Sequence, residues 1–204
     1  MDSAFTKQVF DGMAERYDTD DRAQVARRIA GEMRTHIAPG SLARALDYGC
    51  GTGLVGLQLT DLFASMVFVD ASPAMVEQVR RKLEVAGIEH AEAWAADFNA
   101  AVPDPAQRFD CILLSQVLLH VRDVPLLLER LTALLNPGGR LLIVDFDEAP
   151  ALDTDLIHPG FSQDELQAQL EGQGLRVLDR RTFLHGEHLL MNQEASLFVV
   201  DAVN

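Results

Sequence analysis

The chain is poor in cysteine and in positive charge, and it has no long hydrophobic run. Its 204 residues include two cysteines, Cys50 and Cys111, which are too few for a disulfide framework and are not spaced like metal ligands. Its 17 basic residues are outnumbered by 31 acidic ones, giving a net charge of −14. That charge argues against a nucleic-acid partner, which would require cations to neutralise phosphates. Since no apolar run is long enough to cross a bilayer either, we expect no metal, no nucleic acid and no membrane partner.

The first residues do not have the layout of a secretory signal, because Asp2, Thr6 and Lys7 precede any apolar run. Together with the unpaired cysteines, this predicts a cytoplasmic protein. The arginines between Arg22 and Arg34 are the nearest approach to a basic surface, but acidic residues are interleaved with them. A solvated helix face is therefore favoured over an RNA-binding surface at that position.

Strands and helices alternate along most of the chain without an internal repeat or a linker, which predicts one domain over residues 1–204. The strands are mostly continuous apolar runs, as expected where both faces of a parallel sheet are covered. Seven strands are predicted, over 42–48, 66–71, 90–96, 109–116, 139–146, 175–184 and 196–203. Helices are predicted over about 3–15, 20–37, 53–64, 73–86 and 123–135, with a sixth beginning at the capping box of residues 162–165.

The last two strands are not separated by any helical pattern, so they should pair as an antiparallel hairpin. The predicted fold class is therefore α/β, a doubly wound and mostly parallel seven-stranded sheet with a C-terminal antiparallel hairpin. Residues 1–40 form two N-terminal helices that end at Ala38-Pro39-Gly40. Residues 41–146 form the core of the sheet, and residues 147–204 form the C-terminal helix and hairpin.

The most informative segment is a glycine-rich turn between two apolar runs. Residues 46–53 are Leu-Asp-Tyr-Gly-Cys-Gly-Thr-Gly, so an acidic residue closes a strand and three glycines follow at alternate positions. Glycine has no Cβ, so the backbone there can turn tightly and approach a ligand closely. Asp70 closes the next strand, where a carboxylate can accept hydrogen bonds from both hydroxyls of a ribose. These features predict a binding site at the carboxyl ends of the first two strands.

The order and spacing of these features resemble those of the class I S-adenosylmethionine (SAM) dependent methyltransferases. The resemblance covers roughly residues 42–146 and includes Asp70 to Met75, Asp97-Phe98 and residues 136–139, Asn-Pro-Gly-Gly. The segment 10–18 resembles the F-x-x-x-A-x-x-Y-D opening of many small-molecule methyltransferases, including quinone-biosynthesis C-methyltransferases. The resemblance implies a Rossmann-like methyltransferase fold, SAM as cofactor with S-adenosylhomocysteine (SAH) as product, and a small-molecule methyl acceptor.

The resemblance also implies a set of cofactor-binding residues. By this resemblance, the glycine turn would approach the methionine part of SAM, and Asp47 would help to hold the ammonium group of SAM. The segment at Ser115 and Gln116 lies near the sulfonium. The full implied set is Tyr17, Asp47, Gly49, Cys50, Gly51, Gly53, Asp70, Ala71, Met75, Asp97, Phe98, Ser115 and Gln116.

The adenine end and the lid follow from the same resemblance. Asp97 would accept a hydrogen bond from the adenine amino group, and the Phe98 amide would donate one to the ring. The residue at Met75 covers the adenine in the family, although a core role in its helix is an equally good interpretation. Tyr17 would lie over the cofactor carboxylate, with residues 1–40 forming a lid.

The acceptor side is less well defined by the sequence. His120 follows the fourth strand, where an imidazole can act as a general base, since its usual pKa lies near neutrality. A histidine that only hydrogen-bonds the backbone at a helix entry explains the same position. Tyr17, residues 118–120 and the loop 146–161 are expected to border the acceptor. The remaining loop histidines, His158, His185 and His188, are expected to be solvated.

Two other functions fit parts of the pattern. An NAD-dependent oxidoreductase would share the glycine turn and Asp70, but Gly53, Leu54 and the terminal hairpin disfavour it. A SAM-binding regulatory protein without catalytic activity would have the same cofactor motifs as an enzyme. The identity of the acceptor, the acceptor atom and the oligomeric state do not follow from the sequence.

Overall fold

A single sheet of seven strands carries the fold. The computed structural model describes residues 3–38, 42–148, 157–190 and 193–204. The strands are β1 (Leu42–Tyr48), β2 (Phe63–Asp70), β3 (Ala91–Ala95), β4 (Phe109–Ser115), β5 (Leu135–Phe146), β6 (Arg176–Leu190) and β7 (Gln193–Val203). They lie in the order β3-β2-β1-β4-β5-β7-β6. Strands β1 to β5 are parallel, and β7 is antiparallel to both β5 and β6. The predicted α/β sheet with a C-terminal hairpin is confirmed.

Helices cover both faces of this sheet. They are α1 (Ser3–Met13), α2 (Asp20–Thr35), α3 (Pro73–Ala86), α4 (Val124–Thr132) and α5 (Gln163–Gly172). Successive residues of β2 point to opposite faces: Met66 and Phe68 join a core cluster with α2 and α3, whereas Val67 and Val69 join another with α4 and α5. Because both faces are buried, the strands need the continuous apolar runs seen in the sequence.

Two helix starts follow from local side-chain capping, as the sequence predicts. The Ser72 hydroxyl accepts a hydrogen bond from the Met75 amide at 3.1 Å and precedes Pro73, the first residue of α3. The Ser162 hydroxyl accepts one from the Glu165 amide at 3.4 Å at the start of α5. Each hydroxyl satisfies one of the amides that a helix start leaves without an intrahelical partner.

The helix predicted over 53–64 is absent, and two short 3-10 helices, Gly56–Gln58 and Thr60–Leu62, replace it. Gly53 has φ +80°, which is outside the right-handed helical region. The chain also enters β2 already at Phe63, so too few residues remain for several α-helical turns. Gly56 packs directly on Asp47, where a Cβ would lie 2.2 Å from the carboxylate oxygen.

The two N-terminal helices have different roles, although residues 1–40 were expected to form one lid. Ile29 and Met33 of α2 are fully buried in the core beside α3, so α2 is part of the foundation of the fold. Helix α1 instead contacts the edge of the site, where the Ser72 hydroxyl donates to the Asp11 carboxylate at 2.5 Å. Of the predicted helix end at 38–40, residues 39 and 40 lie outside the described residues.

An ionic cluster fastens the end of α2 to the sheet. The His36 ring nitrogens lie 3.2 Å from Asp201 of β7 and 3.2 Å from Glu32 of α2. Arg140 of β5 also bonds Asp201 through Nε at 3.1 Å. The hydrogen bond to Asp201 raises the pKa of His36 above its usual 6.5, and the bond to Glu32 adds to this, while partial burial opposes it. Burial opposes ionisation of Asp201, but bonds from His36 and Arg140 outweigh it and lower the pKa of Asp201.

This cluster predicts that stability decreases as the pH rises above neutrality. Because the pKa of His36 is higher in the folded chain, its contribution is complete below about pH 6.5 and is lost as the pH rises through the folded value. Between pH 6 and 9 the melting temperature should therefore fall further in the natural chain than in His36→Gln. Scanning calorimetry at several pH values measures this difference, and parallel curves for the two chains would contradict it.

Candidate functional site

The glycine turn lies at the carboxyl end of β1 and has an unusual backbone. Gly49, Gly51 and Gly53 have φ values of +69°, +53° and +80°, which side chains with a Cβ rarely tolerate. A Cβ at Gly49 would also lie 2.6 Å from the Val117 side chain. Around Gly51, in contrast, no atom of the described residues, apart from Gly51 and its two chain neighbours, lies within 4 Å of the Cβ position. The turn thus presents main-chain atoms to open space, as a ligand-binding turn requires.

Asp70 lies directly against this turn, as the sequence predicts for the end of β2. One of its oxygens accepts the Gly51 amide at 2.8 Å, and the other accepts the Ser72 amide at 2.8 Å. Burial raises the pKa of Asp70, while these amide bonds partly counteract the effect. Each carboxylate oxygen has a further lone pair, so Asp70 can also accept from a ligand. Ala71 follows it at the entry to α3.

Asp47 is the second carboxylate of this edge. Its side chain is 2% exposed, and burial raises its pKa to about 7, with the neighbouring Asp70 charge adding to the shift and the Gly56 amide opposing it. The Asp70 charge therefore repels a negative charge on Asp47. A cationic ligand group placed between them would relieve that repulsion, so the pair is suited to a positively charged ligand.

At the expected adenine end of the site, Phe98 packs against Tyr48. The Phe98 amide donates to the Tyr48 hydroxyl at 2.9 Å, and the two rings stack with centroids 4.8 Å apart. Phe98 is therefore a core residue, and its amide has an intramolecular acceptor in this structure. Asp97 accepts the Asn99 amide at 2.8 Å, and Met75 is fully buried at the start of α3.

The end of β4 carries two signs of a functional site. The Ser115 hydroxyl is buried without a hydrogen-bond partner among the described residues, which is rare for a buried polar atom. Gln116 has φ +55° and is the non-glycine residue with a positive φ in the part of the chain that the structure describes. Its amide donates to the Val144 carbonyl at 2.7 Å. Strained backbone of this kind persists only where neighbouring contacts enforce it, and it is concentrated at functional sites.

Asp145 holds the turn that follows Gln116 and was not identified from the sequence. It is fully buried in β5 and accepts the Leu118 amide at 2.8 Å and the Phe146 amide at 2.9 Å. Burial raises its pKa to about 7, and the amides of this turn oppose the shift. The available signal was an acidic residue inside the apolar run 141–146, which strand patterning alone does not explain.

His120 closes this turn and contacts the N-terminal segment. Burial lowers the pKa of its imidazole to about 4, so the ring is neutral at physiological pH. The Phe10 ring of α1 meets it edge-on with centroids 5.0 Å apart. Phe10 also lies 6.2 Å from the Tyr17 ring, and the Arg22 guanidinium lies over Tyr17 at 4.2 Å. Thus Phe10, Tyr17 and His120 form an aromatic cluster between α1 and the turn 117–120, here called the aromatic cover, at the position where the sequence leads us to expect the acceptor.

The other candidate side chains make contacts within the chain where they are described. The Cys50 thiol lies 3.5 Å from the Gly51 carbonyl oxygen, and burial raises its pKa well above the usual value. His158 donates its amide to the Leu119 carbonyl at 2.8 Å and stacks on Phe161. His185 Nδ1 lies 2.6 Å from the Ser196 hydroxyl. The His188 side chain and residues 149–156 of the expected acceptor loop lie outside the described residues.

Among the described residues, no group of three or more histidine, cysteine, aspartate or glutamate side chains is arranged to hold a metal ion. None of the described helices has the length and apolar character needed to span a membrane.

Comparison with known proteins connects this geometry to a family. The methyltransferase domain profile matches residues 17–180. Among curated proteins, the ubiquinone biosynthesis O-methyltransferase of Chelativorans sp. is 35% identical over 100 residues, which are 49% of this chain and 39% of that protein. The corresponding protein of Methylocella silvestris is 35% identical over 118 residues, 55% of this chain and 44% of that protein. The chain therefore spans less than half the length of these relatives.

Solved structures share the fold at low sequence identity. Magnesium protoporphyrin IX methyltransferase of Synechocystis PCC 6803, solved with bound SAH, has a TM-score of 0.74 at 15% identity and covers 100% of both chains. The N-methyltransferase NodS of Bradyrhizobium japonicum, also solved with SAH, has a TM-score of 0.67 at 16% identity and covers 90% of this chain and 86% of NodS. The profile match extends over most of the chain and confirms the resemblance derived from the motifs. The chain belongs to the methyltransferase domain family.

Proposed function

We propose that the chain is a SAM-dependent methyltransferase that acts on a small-molecule acceptor. The observation that carries the proposal is the glycine turn, with its three positive φ values, placed between the buried carboxylates Asp47 and Asp70. This donor set combines exposed main-chain atoms with two buried carboxyl groups. It therefore suits a ligand that has a ribose at one end and cationic groups at the other.

The residues of the site fit SAM part by part. The turn 49–53 and Asp47 would hold the methionine end, with the Asp47 carboxylate facing the ammonium, while Asp70 would bond the ribose hydroxyls. Asp97 would receive the adenine amino group beside Met75. The unpartnered Ser115 hydroxyl and the strained Gln116 would lie nearest the sulfonium. SAM supplies a methyl group already activated on sulfur, so the chain does not have to provide covalent catalysis.

The chain's own contribution is to orient the acceptor and to exclude water. Holding two reactants in the productive geometry contributes about 7–11 kcal/mol relative to their encounter in solution. Phe10 and Tyr17 close the acceptor side, where a cover of this kind keeps water from the reacting atoms. Asp145 keeps the turn 117–120 in position beneath them through its backbone hydrogen bonds.

We further propose that the acceptor is compact and mostly apolar, and that a hydroxyl oxygen receives the methyl group. The described side chains on the proposed acceptor side include the contacting rings of Phe10 and His120, which suit an apolar molecule with few polar groups. The curated relatives are named O-methyltransferases. The neutral His120 imidazole can accept a hydroxyl proton, although its pKa of about 4 makes it a weaker base than an exposed histidine.

The charge of −14 supports an acceptor other than a nucleic acid. The free thiols Cys50 and Cys111 support a reducing, cytoplasmic location.

The fold alone does not determine the reaction, because the [4+2]-cyclase SpnF shares it with a TM-score of 0.69 at 16% identity. Measured methyl transfer would separate an enzyme from a SAM-binding regulator.

The first test is binding of SAH against NAD. SAH should raise the melting temperature and NAD should not, since a ligand stabilises the native state that it binds.

Asp70→Ala should weaken SAH binding by about 1.5–3 kcal/mol, the contribution of hydrogen bonds to a charged group. Titration calorimetry gives both affinities, and Asp164→Ala, an exposed carboxylate of α5, is the control that should bind normally. A shift with NAD alone, or normal binding by Asp70→Ala, would contradict the proposed site.

A second test concerns the cover formed by α1. Because burial lowers the pKa of His120 to about 4, its ring should titrate near that value in nuclear magnetic resonance spectra of the whole chain. Phe10→Ala admits water to the ring and should move the midpoint upward, towards the usual 6.5. Val9→Ala, at an exposed neighbour in the same helix, should leave the midpoint unchanged. A midpoint near 6.5 in the natural chain would show that the cover is open in solution.

A further inference from the structure

Three separate segments of the chain meet at Lys82 of α3. The Lys82 ammonium lies 2.5 Å from one oxygen of the Asp18 carboxylate and donates to the Thr52 carbonyl at 2.6 Å. The Thr52 hydroxyl in turn donates to the other Asp18 oxygen at 2.5 Å. These three bonds form a closed network that joins the segment after α1, the glycine turn and α3.

Through this network, a movement of the segment at Asp18 can displace the glycine turn or α3. Thr52 is 1% exposed and lies between Gly51 and Gly53, so its carbonyl cannot move without the glycine turn. Asp18 directly follows Tyr17, whose ring belongs to the aromatic cover and lies under the Arg22 guanidinium. The side chains of Lys82 and Asp18 remain 30% and 38% exposed. The network is thus accessible from solvent and can open without unfolding the core.

We propose that Lys82 is a positioning residue that couples closure of the segment 10–18 to the ligand-binding conformation of the glycine turn. The inference rests on the proposed function, because it takes the glycine turn to be the SAM site. One ammonium group bonds both the Asp18 carboxylate and the Thr52 carbonyl. When Asp18 is displaced, Lys82 and Thr52 both lose a bond, so the closed cover and the ordered turn stabilise each other. A ligand that requires both then binds most tightly when the network is intact.

Lys82→Met tests the coupling, because methionine keeps the apolar stem and removes the ammonium group. We expect the dissociation constant of SAH to rise about tenfold, as the loss of charge-assisted hydrogen bonds would produce. Arg81→Met is a matched control on the same helix with the same change in net charge. Arg81 is 61% exposed and pairs with Glu77 at 3.4 Å, so its replacement should change SAH affinity less than about twofold. Melting temperatures without ligand show whether either chain is destabilised.

Asp18→Asn shows whether Lys82 acts through the cover segment. If the two residues act as one unit, combining Asp18→Asn with Lys82→Met should not weaken SAH binding further. The dissociation constant of the double variant should then equal that of the single variant that binds SAH less tightly. Limited trypsin digestion gives a second readout at Arg16 and Arg22, on either side of Tyr17. SAH should protect these sites in the natural chain and in Arg81→Met, but not in Lys82→Met.

Equal SAH affinity and equal protection in Lys82→Met and Arg81→Met would overturn the coupling. Fully additive losses from Asp18→Asn and Lys82→Met would overturn it as well, because they would show that the two residues act independently. Failure of the natural chain to bind SAH would be a different result, since it would overturn the proposed SAM site itself.

Discussion

The site depends on parallel pairing of β1 with β2, which brings two carboxylates together in a buried environment. The register places Asp47 opposite Phe68 and Tyr48 opposite Val69, so the ends of both strands open at the same edge of the sheet. Neither Asp47 nor Asp70 pairs with a basic side chain there among the described contacts, and burial raises the pKa of both. Backbone amides of Gly51, Ser72 and Gly56 provide the stabilisation instead. The edge therefore retains a preference for cationic ligand groups, and the glycine turn gives them access.

Local features of the sequence predict most of the framework because their causes are local. Continuous apolar runs indicate buried parallel strands, and Ser72 and Ser162 mark helix starts through hydrogen bonds that span three residues. The antiparallel pairing of β6 with β7 follows from the absence of helical periodicity between these two strands. The glycine spacing likewise predicts a turn with positive φ values, since only glycine adopts them at low cost.

Features that depend on long-range packing could not be predicted in the same way. The expected helix after Gly53 fails because Gly56 packs on Asp47 and because β2 begins early. The Phe98 amide bonds the Tyr48 hydroxyl, 50 residues away in sequence. Asp145 resembles an interruption of an apolar strand until the fold brings the turn 117–120 onto it. The burial of α2 and the network at Lys82 also appear only when distant segments are placed side by side.

The proposed acceptor side is the least determined by sequence, because the segments we assign to it, α1, the turn 118–120 and neighbouring loops, do not share one motif. Fold similarity does not identify the acceptor either, since neighbours with this sheet include N-methyltransferases and a [4+2]-cyclase. The cofactor edge is more constrained, because its backbone conformation and its buried charges leave fewer ligand classes that fit. The same division explains why the family follows from the motifs whereas the substrate remains a proposal.

The central claim is that the edge formed by β1, β2 and the glycine turn binds SAM, and an amide-resolved titration tests it most directly. The ¹⁵N-labelled natural chain is titrated with SAH while its two-dimensional amide spectrum is recorded. The amide signals of Gly51, Gly53 and Asp97 should shift with a common dissociation constant. The amide signal of Asp201, which pairs with Leu142 of β5 away from the carboxyl ends of the parallel strands, should stay in place. Shifts confined to residues away from the turn, or no shifts at millimolar SAH, would contradict the claim.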